Sequence, residues 1–250
     1  MSYSASIACC SHRELKIEAI KTHNLLRACP NPSLRIGYVV GDALISRSRN
    51  RAATTFLKET DDEMLCFLDD DIEINPKDLV TMMNEVHEKK YPILGGIYAL
   101  KSQENPGFAF LAQEDKGTVK MGASGGIVPV RRVSTGCMII RREVLERMIK
   151  KETAHMCRQG YYTFFQHREI EEKGILSNSY DDASEDWWFC HQALKIGVQV
   201  FADTRWRINH VGPFAYNWDF VALNGEFKKH NDILFKFDSG RKPEALVGAI

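Results

Sequence analysis

The stretch Glu63–Pro76, EMLCFLDDDIEINP, joins a wholly apolar run to three consecutive aspartates. Met64–Leu68 has the length and the continuous apolar character of a strand buried on both faces of a parallel sheet. Asn75-Pro76 then predicts a helix start, with Asn as N-cap and Pro at the first helical position. The triplet Asp69-Asp70-Asp71 therefore follows the carboxyl end of a buried strand, which is where open α/β sheets bind ligands.

The same alternation of strand and helix extends to both sides of this stretch. Four short apolar runs predict strands, and three longer amphipathic stretches between them predict helices. This pattern indicates a mostly parallel sheet with helices on both faces. The predicted strands are Ser6–Cys10, Leu34–Val40, Glu63–Leu68 and Pro92–Tyr98, and the predicted helices are Glu14–Arg27, Ile45–Lys58 and Lys77–Lys89.

The pattern is less regular after residue 100. Lys101–Gly126 lacks periodicity and predicts a long loop or a small excursion, and Leu176–Ser184 is polar and predicts a mobile segment. We expect one domain over residues 1–212, with residues 213–250 as a C-terminal extension packed on it. The remaining predicted elements are strands at Ile127–Val130, Val133–Ile140, Tyr161–Gln166 and Val198–Ala202, and helices at Glu143–Lys151 and Glu185–Ile196.

Composition narrows the class of protein. The 33 basic and 33 acidic residues cancel to zero net charge, which argues against a dedicated nucleic-acid binder. No apolar run reaches the roughly 18–20 residues that a transmembrane helix needs, and the first residues lack a secretory signal pattern. Seven scattered cysteines without a C-x-x-C pair predict reduced thiols and a cytoplasmic location.

The acidic triplet has the spacing of a cation site. Residues i and i+2 of an extended segment point the same way, so Asp69 and Asp71 could hold a hard divalent cation and leave coordination positions for diphosphate oxygens. The alternative is a solvated acidic turn, which Asp commonly forms. Repulsion between adjacent carboxylates favours a metal or a basic partner.

Three arginines alternate in the predicted helix upstream of the acidic strand. Arg47 and Arg51 share a helix face, whereas Arg49 points elsewhere. Arginine forks suit diphosphate groups, and a helix N-terminus attracts anions. The residues alone leave open whether these arginines bind phosphate or form salt bridges with acidic residues just beyond the helix.

A second acidic pair, Glu185-Asp186, opens the predicted helix Glu185–Ile196. The macrodipole favours acidic residues in a first helical turn, so the position alone is compatible with a structural role. A short strand follows, and after it come Asp203 and the tripeptide His210-Val211-Gly212.

Together, the Asp triplet, the Glu-Asp helix and the terminal His-x-Gly resemble motifs of the GT-A-fold nucleotide-sugar glycosyltransferases. The triplet resembles the D-x-D motif of that family. The resemblance covers about residues 4–212. It implies a GT-A-like α/β fold, with a mostly parallel, doubly wound sheet and a small additional antiparallel part.

The resemblance also implies a metal site and a nucleotide site. Asp69 would contact the ribose or the metal, and Asp70 would be the variable middle residue of the donor site. Asp71 and His210 would ligate Mn²⁺ or Mg²⁺, because carboxylate oxygen and imidazole nitrogen both suit such ions.

Asp186 would be the general base of an inverting transfer, with Glu185 beside it. A positioned carboxylate can take the proton of an acceptor hydroxyl as the new bond forms. Gly96 belongs to the segment Gly95-Gly96-Ile97-Tyr98, where a β-bulge is the alternative to a place beside the donor. The further residues expected at the donor are Arg49, Asn50, Gly96 and Gly136.

The implied activity is metal-dependent transfer of a sugar from a nucleotide-diphosphate donor, of UDP or GDP type, to a saccharide or other hydroxyl acceptor. Three alternatives stay open. A nucleotidyltransferase usually has a glycine-rich signature near its first strand, which Ala5–Arg13 lacks. A HAD-type phosphatase has Thr or Val where Glu73 stands, and a non-catalytic sugar-binding module would not need Asp186.

Overall fold

A computed structural model describes residues 2–12, 15–29, 32–101, 107–112, 116–172, 179–212, 215–217 and 232–238. In these ranges the chain forms five helices, α1 (Ile17–Arg27), α2 (Ile45–Glu59), α3 (Pro76–Lys89), α4 (Arg142–Lys150) and α5 (Glu185–Lys195). The strands are β1 (Ser4–Ser11), β2 (Ser33–Val40), β3 (Met64–Leu68), β4 (Ile72–Glu73), β5 (Ile93–Tyr98), β6 (Phe110–Ala112), β7 (Lys116–Gly122), β8 (Ile127–Val133), β9 (Cys137–Arg141), β10 (Arg168–Glu172), β11 (Ser179–Ala183), β12 (Val200–Val211), β13 (Ala215–Tyr216) and β14 (Asp232–Asp238).

The main sheet has the strand order β2-β1-β3-β9-β5-β12-β8-β6. Strands β1, β2 and β3 pair in parallel, as do β5 and β12, whereas β9 and β8 run against their neighbours. The predicted α/β fold, with a mostly parallel sheet and an antiparallel part, is confirmed. One antiparallel strand lies inside the sheet, because β9 separates β3 from β5, and a second antiparallel part lies at the edge, where β8 and β6 follow β12.

Helices cover both faces of the sheet, as the doubly wound prediction requires. On one face α2, α4 and α5 contribute buried side chains such as Phe56, Leu145 and Phe189. On the other face α1 and α3 contribute Leu26 and Met82. Strand β3 contributes to both clusters and is buried along its whole length, which explains its uninterrupted apolar sequence.

The elements predicted for the first hundred residues are present, with ends shifted by a few residues. The predicted N-cap of α3 is also confirmed, since Asn75 Oδ1 accepts a hydrogen bond of 3.0 Å from the backbone N–H of Lys77. Such a cap satisfies one of the free N–H groups at a helix start.

The predicted strand at Tyr161–Gln166 is wrong. The backbone there makes only an isolated bridge between Met156 and Tyr162, although Phe164 and Phe165 are fully buried. Side chains of α2 take the place of a neighbouring strand: Asn50 exchanges two hydrogen bonds of 2.8 Å with the backbone of Phe165. These aromatic residues are buried against a helix, and their apolar run in the sequence resembles that of a buried strand.

Two segments predicted as irregular contain strands. The region Lys101–Gly126 includes β6 and β7, and its residues 102–106 and 113–115 lie outside the described ranges. Within Leu176–Ser184, strand β11 pairs antiparallel with β10, and residues 176–178 lie outside the described ranges. Strand β6 has only three residues and β11 is polar, so neither shows the extended apolar alternation that marks a half-buried strand, and β7 alternates only at Val119 and Met121.

The described part of the C-terminal extension contacts the preceding residues. Strand β14 pairs antiparallel with β7 along seven residues, and β13 pairs with the end of β12. The division at residue 212 stays a prediction. No helix of the described residues has the length and apolarity to cross a bilayer.

Replacing Gly95 with Ala should destabilise the fold by about 1–3 kcal/mol, because the new Cβ would lie 2.6 Å from the branched Cβ of Val133 in the packed sheet. Gly37→Ala in β2 is the matched control, since nothing lies within 4 Å of its added Cβ. Urea unfolding of both variants measures the difference. Equal midpoints for the two would contradict this account of the packing.

Candidate functional site

The polar residues singled out in the sequence gather at one edge of the main sheet. Strands β1, β3 and β5 point the same way, so their carboxyl ends share this edge. Strand β9 runs in the opposite direction, and its N-terminal side, Thr135-Gly136, reaches the same edge. The backbone N–H of Asp69 donates to the Gly136 carbonyl at 3.0 Å, which links the end of β3 to the start of β9.

Arg49 of α2 links two acidic residues of this edge, Asp69 and Glu185. Its guanidinium donates to both carboxylate oxygens of Asp69, at 2.8 and 2.9 Å, and its Nε donates to Glu185 at 3.1 Å. Arg49 is only 4% exposed, so this is a buried cation between two carboxylates. The sequence suggested acidic residues just beyond α2 as salt-bridge partners. For Arg49 that suggestion is wrong, because its partners are Asp69, directly after β3, and Glu185, on α5.

Asp71 and His210 meet, although they are far apart in the sequence. Strand β12 continues past the sheet and pairs antiparallel with β4, which places His210 opposite Ile72. The backbone N–H of Val211 donates to the Asp71 carbonyl at 2.7 Å. This ladder brings His210 Nε2 to 3.5 Å from Asp71 Oδ2.

The ring of His210 is oriented by its other nitrogen. His210 Nδ1 lies 2.9 Å from the carbonyl oxygen of Ala99, and that carbonyl can only accept a hydrogen bond. The proton on this side therefore belongs to Nδ1, and the edge of the ring carrying Nε2 faces Asp71. A backbone carbonyl that orients a histidine in this way is characteristic of metal-binding imidazoles.

Two lysines share the carboxylate of Asp71. Lys101 Nζ donates to Asp71 Oδ2, and Lys16 Nζ lies 3.8 Å from the same oxygen. Burial favours the neutral acid, yet His210 and Lys101 outweigh burial and hold the pKa of Asp71 well below its usual range. Asp71 is therefore an anion surrounded by donors, and neither lysine could be identified from a sequence motif.

Asp70 points to the first strand. Its carboxylate accepts a hydrogen bond of 2.7 Å from the Ser11 hydroxyl at the end of β1. Burial raises the pKa of Asp70, and the nearby charge of Asp71 adds to the rise, whereas Ser11 opposes it. The three carboxylates of the triplet thus face three different sets of partners.

Asp186 lies at the N-terminus of α5, 7% exposed. Its Oδ1 accepts from the Ser184 hydroxyl and, at 2.8 Å, from the backbone N–H of Trp187. Among the described residues, its Oδ2 receives only a long contact of 3.4 Å from the Thr135 N–H. One oxygen is therefore fixed by the helix start, and the other retains capacity to accept a proton.

Tyr98 connects the two halves of the edge. Its hydroxyl accepts from the Gly136 N–H at 3.1 Å, and its ring stands edge-on to that of His210 at 5.1 Å. Burial, with the charges of Asp69 and Asp186, raises the pKa of Tyr98 well above its usual value. Tyr98 is thus a neutral phenol close to both acidic groups, a role that its place in the Gly-Gly-x-Tyr segment did not predict.

Three predicted donor-site residues make structural contacts, and their role at a donor stays a prediction. Both polar atoms of the Asn50 amide bind the backbone of Phe165. A Cβ on Gly96 would lie 2.4 Å from Ile208 in the core, so this glycine provides room for packing within a regular strand. A Cβ on Gly136 would lie 2.4 Å from the Tyr98 hydroxyl, so Gly136 is at the edge but is covered by that side chain.

The predicted metal trio of Asp69, Asp71 and His210 is not assembled. Among the described residues, no three His, Cys, Asp or Glu side chains form a cation cluster. Both carboxylate oxygens of Asp69 already accept hydrogen bonds from Arg49. Asp71 and His210 remain, and they fit a divalent cation that takes two ligands from protein and the rest from phosphate and water, as Mg²⁺ commonly does.

A cavity of about 320 Å³ lies beside Asn50, the neighbour of Arg49 on α2. One wall is the N-terminal part of α2, with Arg47 and Asn50, and the other is the segment 161–168. Arg168 pairs with Ala183 across β10 and β11, and Ala183 directly precedes the segment that leads into Asp186. The volume of the cavity is within the range of small-ligand pockets.

Comparison with known proteins finds a solved structure with a similar fold. No family model and no curated protein matches the chain. Among solved structures, A197 from STIV aligns with a TM-score of 0.51 at 18% identity, over 83% of this chain and 85% of that one. At this identity the similarity concerns the fold alone.

Two further structures align less closely. TarS 1–349 from S. aureus, in complex with UDP-GlcNAc, has a TM-score of 0.41 at 13% identity, over 86% of this chain and 57% of that one. A glycosyltransferase involved in glycosylation of the major capsid of PBCV-1 has a TM-score of 0.34 at 15% identity, over 59% and 64% of the two chains.

Replacing Arg49 with Met should destabilise the protein by about 3–5 kcal/mol at neutral pH, because two largely buried carboxylates lose their cation. Burial, with the charge of Asp186, already raises the pKa of Glu185, and Arg49 opposes that rise, so the variant should raise it further. The loss should therefore shrink as the pH falls and Glu185 binds a proton.

Arg51→Met is the control for this prediction. Arg51 lies on the same helix, its side chain is 53% exposed, and its ion pair with Asp42 is long at 3.5 Å. It should cost no more than about 1 kcal/mol. Chemical denaturation at two pH values measures both variants, and similar losses for the two would contradict a buried role for Arg49.

Proposed function

We propose that this chain is a metal-dependent glycosyltransferase that moves a sugar from a nucleotide-diphosphate donor to a hydroxyl acceptor. The observation that carries the proposal is the meeting of Asp71 with His210 at the same sheet edge as Asp186 and the buried group Arg49, Asp69 and Glu185. A cation site and a candidate base at one strand end are what this reaction needs.

Asp71 and His210 are the proposed ligands of Mn²⁺ or Mg²⁺. When bound, such an ion neutralises the charge that develops on a departing nucleoside diphosphate. The Ala99 carbonyl keeps His210 oriented, and the ladder between β4 and β12 keeps its distance from Asp71. The donor site, of UDP or GDP type, would lie between this pair and the end of β1, where Ser11 and Asp70 face each other.

Asp186 is the proposed general base of an inverting transfer. Its Oδ1 is fixed by Ser184 and Trp187, and its weakly bound Oδ2 can accept the proton of an attacking hydroxyl. Glu185 is a positioning residue in this scheme, since its carboxylate binds Arg49. Arg49 likewise positions Asp69, and we do not propose that it contacts the donor.

The cavity between α2 and the segment 161–168 is the proposed acceptor site. It lies beside Asn50, whose neighbour Arg49 binds Asp69 and Glu185, and its other wall leads through β10 and β11 into Asp186. Its walls carry Arg47 and Arg168. A saccharide or another polyhydroxyl acceptor fits such polar walls.

The alternative activities are less well supported. A HAD-type phosphatase would need Asp69 as a free nucleophile, but Arg49 binds both oxygens of that carboxylate. Incubation with UDP- and GDP-sugars plus Mn²⁺ separates the remaining possibilities. Release of nucleoside diphosphate supports a transferase, release of inorganic phosphate from sugar phosphates a phosphatase, and thermal stabilisation by sugar without turnover a binding module.

Asp186→Asn should lower turnover by about 10²–10⁴-fold, because the amide cannot take a proton, while donor affinity stays near that of the wild type. Steady-state rates and a separate nucleotide titration measure the two effects. Asp61→Asn, at an exposed position, is the charge-matched control. Loss of nucleotide affinity with an unchanged rate at saturation would show that Asp186 has a binding role.

Asp71→Asn should abolish the rise in melting temperature that Mn²⁺ with UDP or GDP produces in the wild type, because a ligand stabilises a protein only through binding to the folded state. Asp61→Asn should keep the rise. Thermal unfolding with and without Mn²⁺ and nucleotide is the measurement. An undiminished rise in the Asp71 variant would remove this residue from the metal site.

A further inference from the structure

Lys101 has no role in the function proposed above, yet its ammonium binds the carboxylate of Asp71, one of the two proposed metal ligands. It follows β5, and its Nζ donates to Oδ2 of Asp71. Its side chain is 28% exposed and that of Asp71 is 23% exposed, so the contact is largely shielded from solvent. An ion pair with this degree of shielding is screened less than one on the open surface.

Lys16 and Lys101 differ in how they are held. Lys16 Nζ donates to the carbonyl of Val211 at 3.1 Å and stays 3.8 Å from Asp71. The stem of Lys101 passes Gly212 in van der Waals range, since an added Cβ on Gly212 would lie 3.4 Å from Lys101 Cδ. Glycine at this point of the His-x-Gly motif places no side chain against the stem of Lys101.

A divalent cation and the Lys101 ammonium cannot both lie close to Oδ2 of Asp71 without strong repulsion. Binding of the cation therefore displaces the ammonium, which remains attached within one side-chain length of the site. The chemical group in a nucleotide-diphosphate donor that accepts a displaced ammonium is the diphosphate, and lysine binds phosphate as a point charge.

We propose that Lys101 neutralises Asp71 in the ligand-free protein, competes with the divalent cation for that carboxylate, and turns to the phosphate oxygens of the donor when the cation binds. The second half of this proposal rests on the proposed function, whereas the competition for Asp71 does not.

The test compares the wild type with Lys101→Met, which keeps an unbranched apolar stem and removes the charge. Free Mn²⁺ is followed by electron paramagnetic resonance, first without nucleotide and then with UDP or GDP. We expect Lys101→Met to bind Mn²⁺ about 10-fold more tightly alone, because the variant lacks the cation that competes for Asp71. We expect it to bind the nucleotide about 10-fold more weakly in the presence of Mn²⁺, the loss of one charge-assisted contact.

Two control variants accompany the test. Lys101→Arg keeps a cation and should retain the nucleotide affinity and the weaker Mn²⁺ affinity of the wild type. Lys77→Met removes an exposed lysine of α3 and should change neither affinity. Melting temperatures of all variants establish that they are folded.

An unchanged or weaker Mn²⁺ affinity in Lys101→Met overturns the competition, and this includes the case in which neither protein binds Mn²⁺. Tighter Mn²⁺ binding without weaker nucleotide binding overturns the transfer of Lys101 to phosphate. If the wild type binds no nucleotide, the proposed function and that transfer fail together, while the Mn²⁺ titration still decides the competition.

Discussion

The site depends on one buried cation. Arg49 joins α2, β3 and α5 through Asp69 and Glu185, and each of these elements carries a further part of the site. A guanidinium so far from solvent is tolerated only when carboxylates compensate its lost hydration. The same ion group fixes the start of α5, where Asp186 lies, relative to the acidic triplet. The position of the candidate base relative to the acidic triplet is therefore set by an ion group in the interior.

Backbone pairing then brings the remaining groups together. Because β9 runs antiparallel between β3 and β5, its start lies at the carboxyl ends of its neighbours, and Gly136 can bond to both Asp69 and Tyr98. Because β12 continues beyond the sheet to pair with β4, His210 reaches Asp71. Each of these pairs joins residues that are far apart in the sequence, so contacts between sequence neighbours contribute little to the site.

Periodicity and apolar runs were sufficient for the layered α/β fold, because β3 and the helices beside it have sequence patterns that only burial explains. The resemblance placed Asp71, His210 and Asp186 at one site, and the structure brings them to one edge. The partners of Arg49 and Asn50 could not be predicted, since they depend on which helix packs over which strand. Lys16, Ser11 and Lys101 were missed for a similar reason: single polar residues after strands have no motif, and only the register of the sheet brings them to the carboxylates.

The amide of Asn50 has a wider consequence for how this protein could diversify. Its two hydrogen bonds take the place of a neighbouring strand and attach the backbone of Phe165, in one wall of the cavity, to α2. Side chains on the rim of the wall, such as Arg168, are exposed and can be exchanged without disturbing the hydrogen bonds behind them. The rim can therefore change in sequence while the ionic interior of the edge stays unaltered.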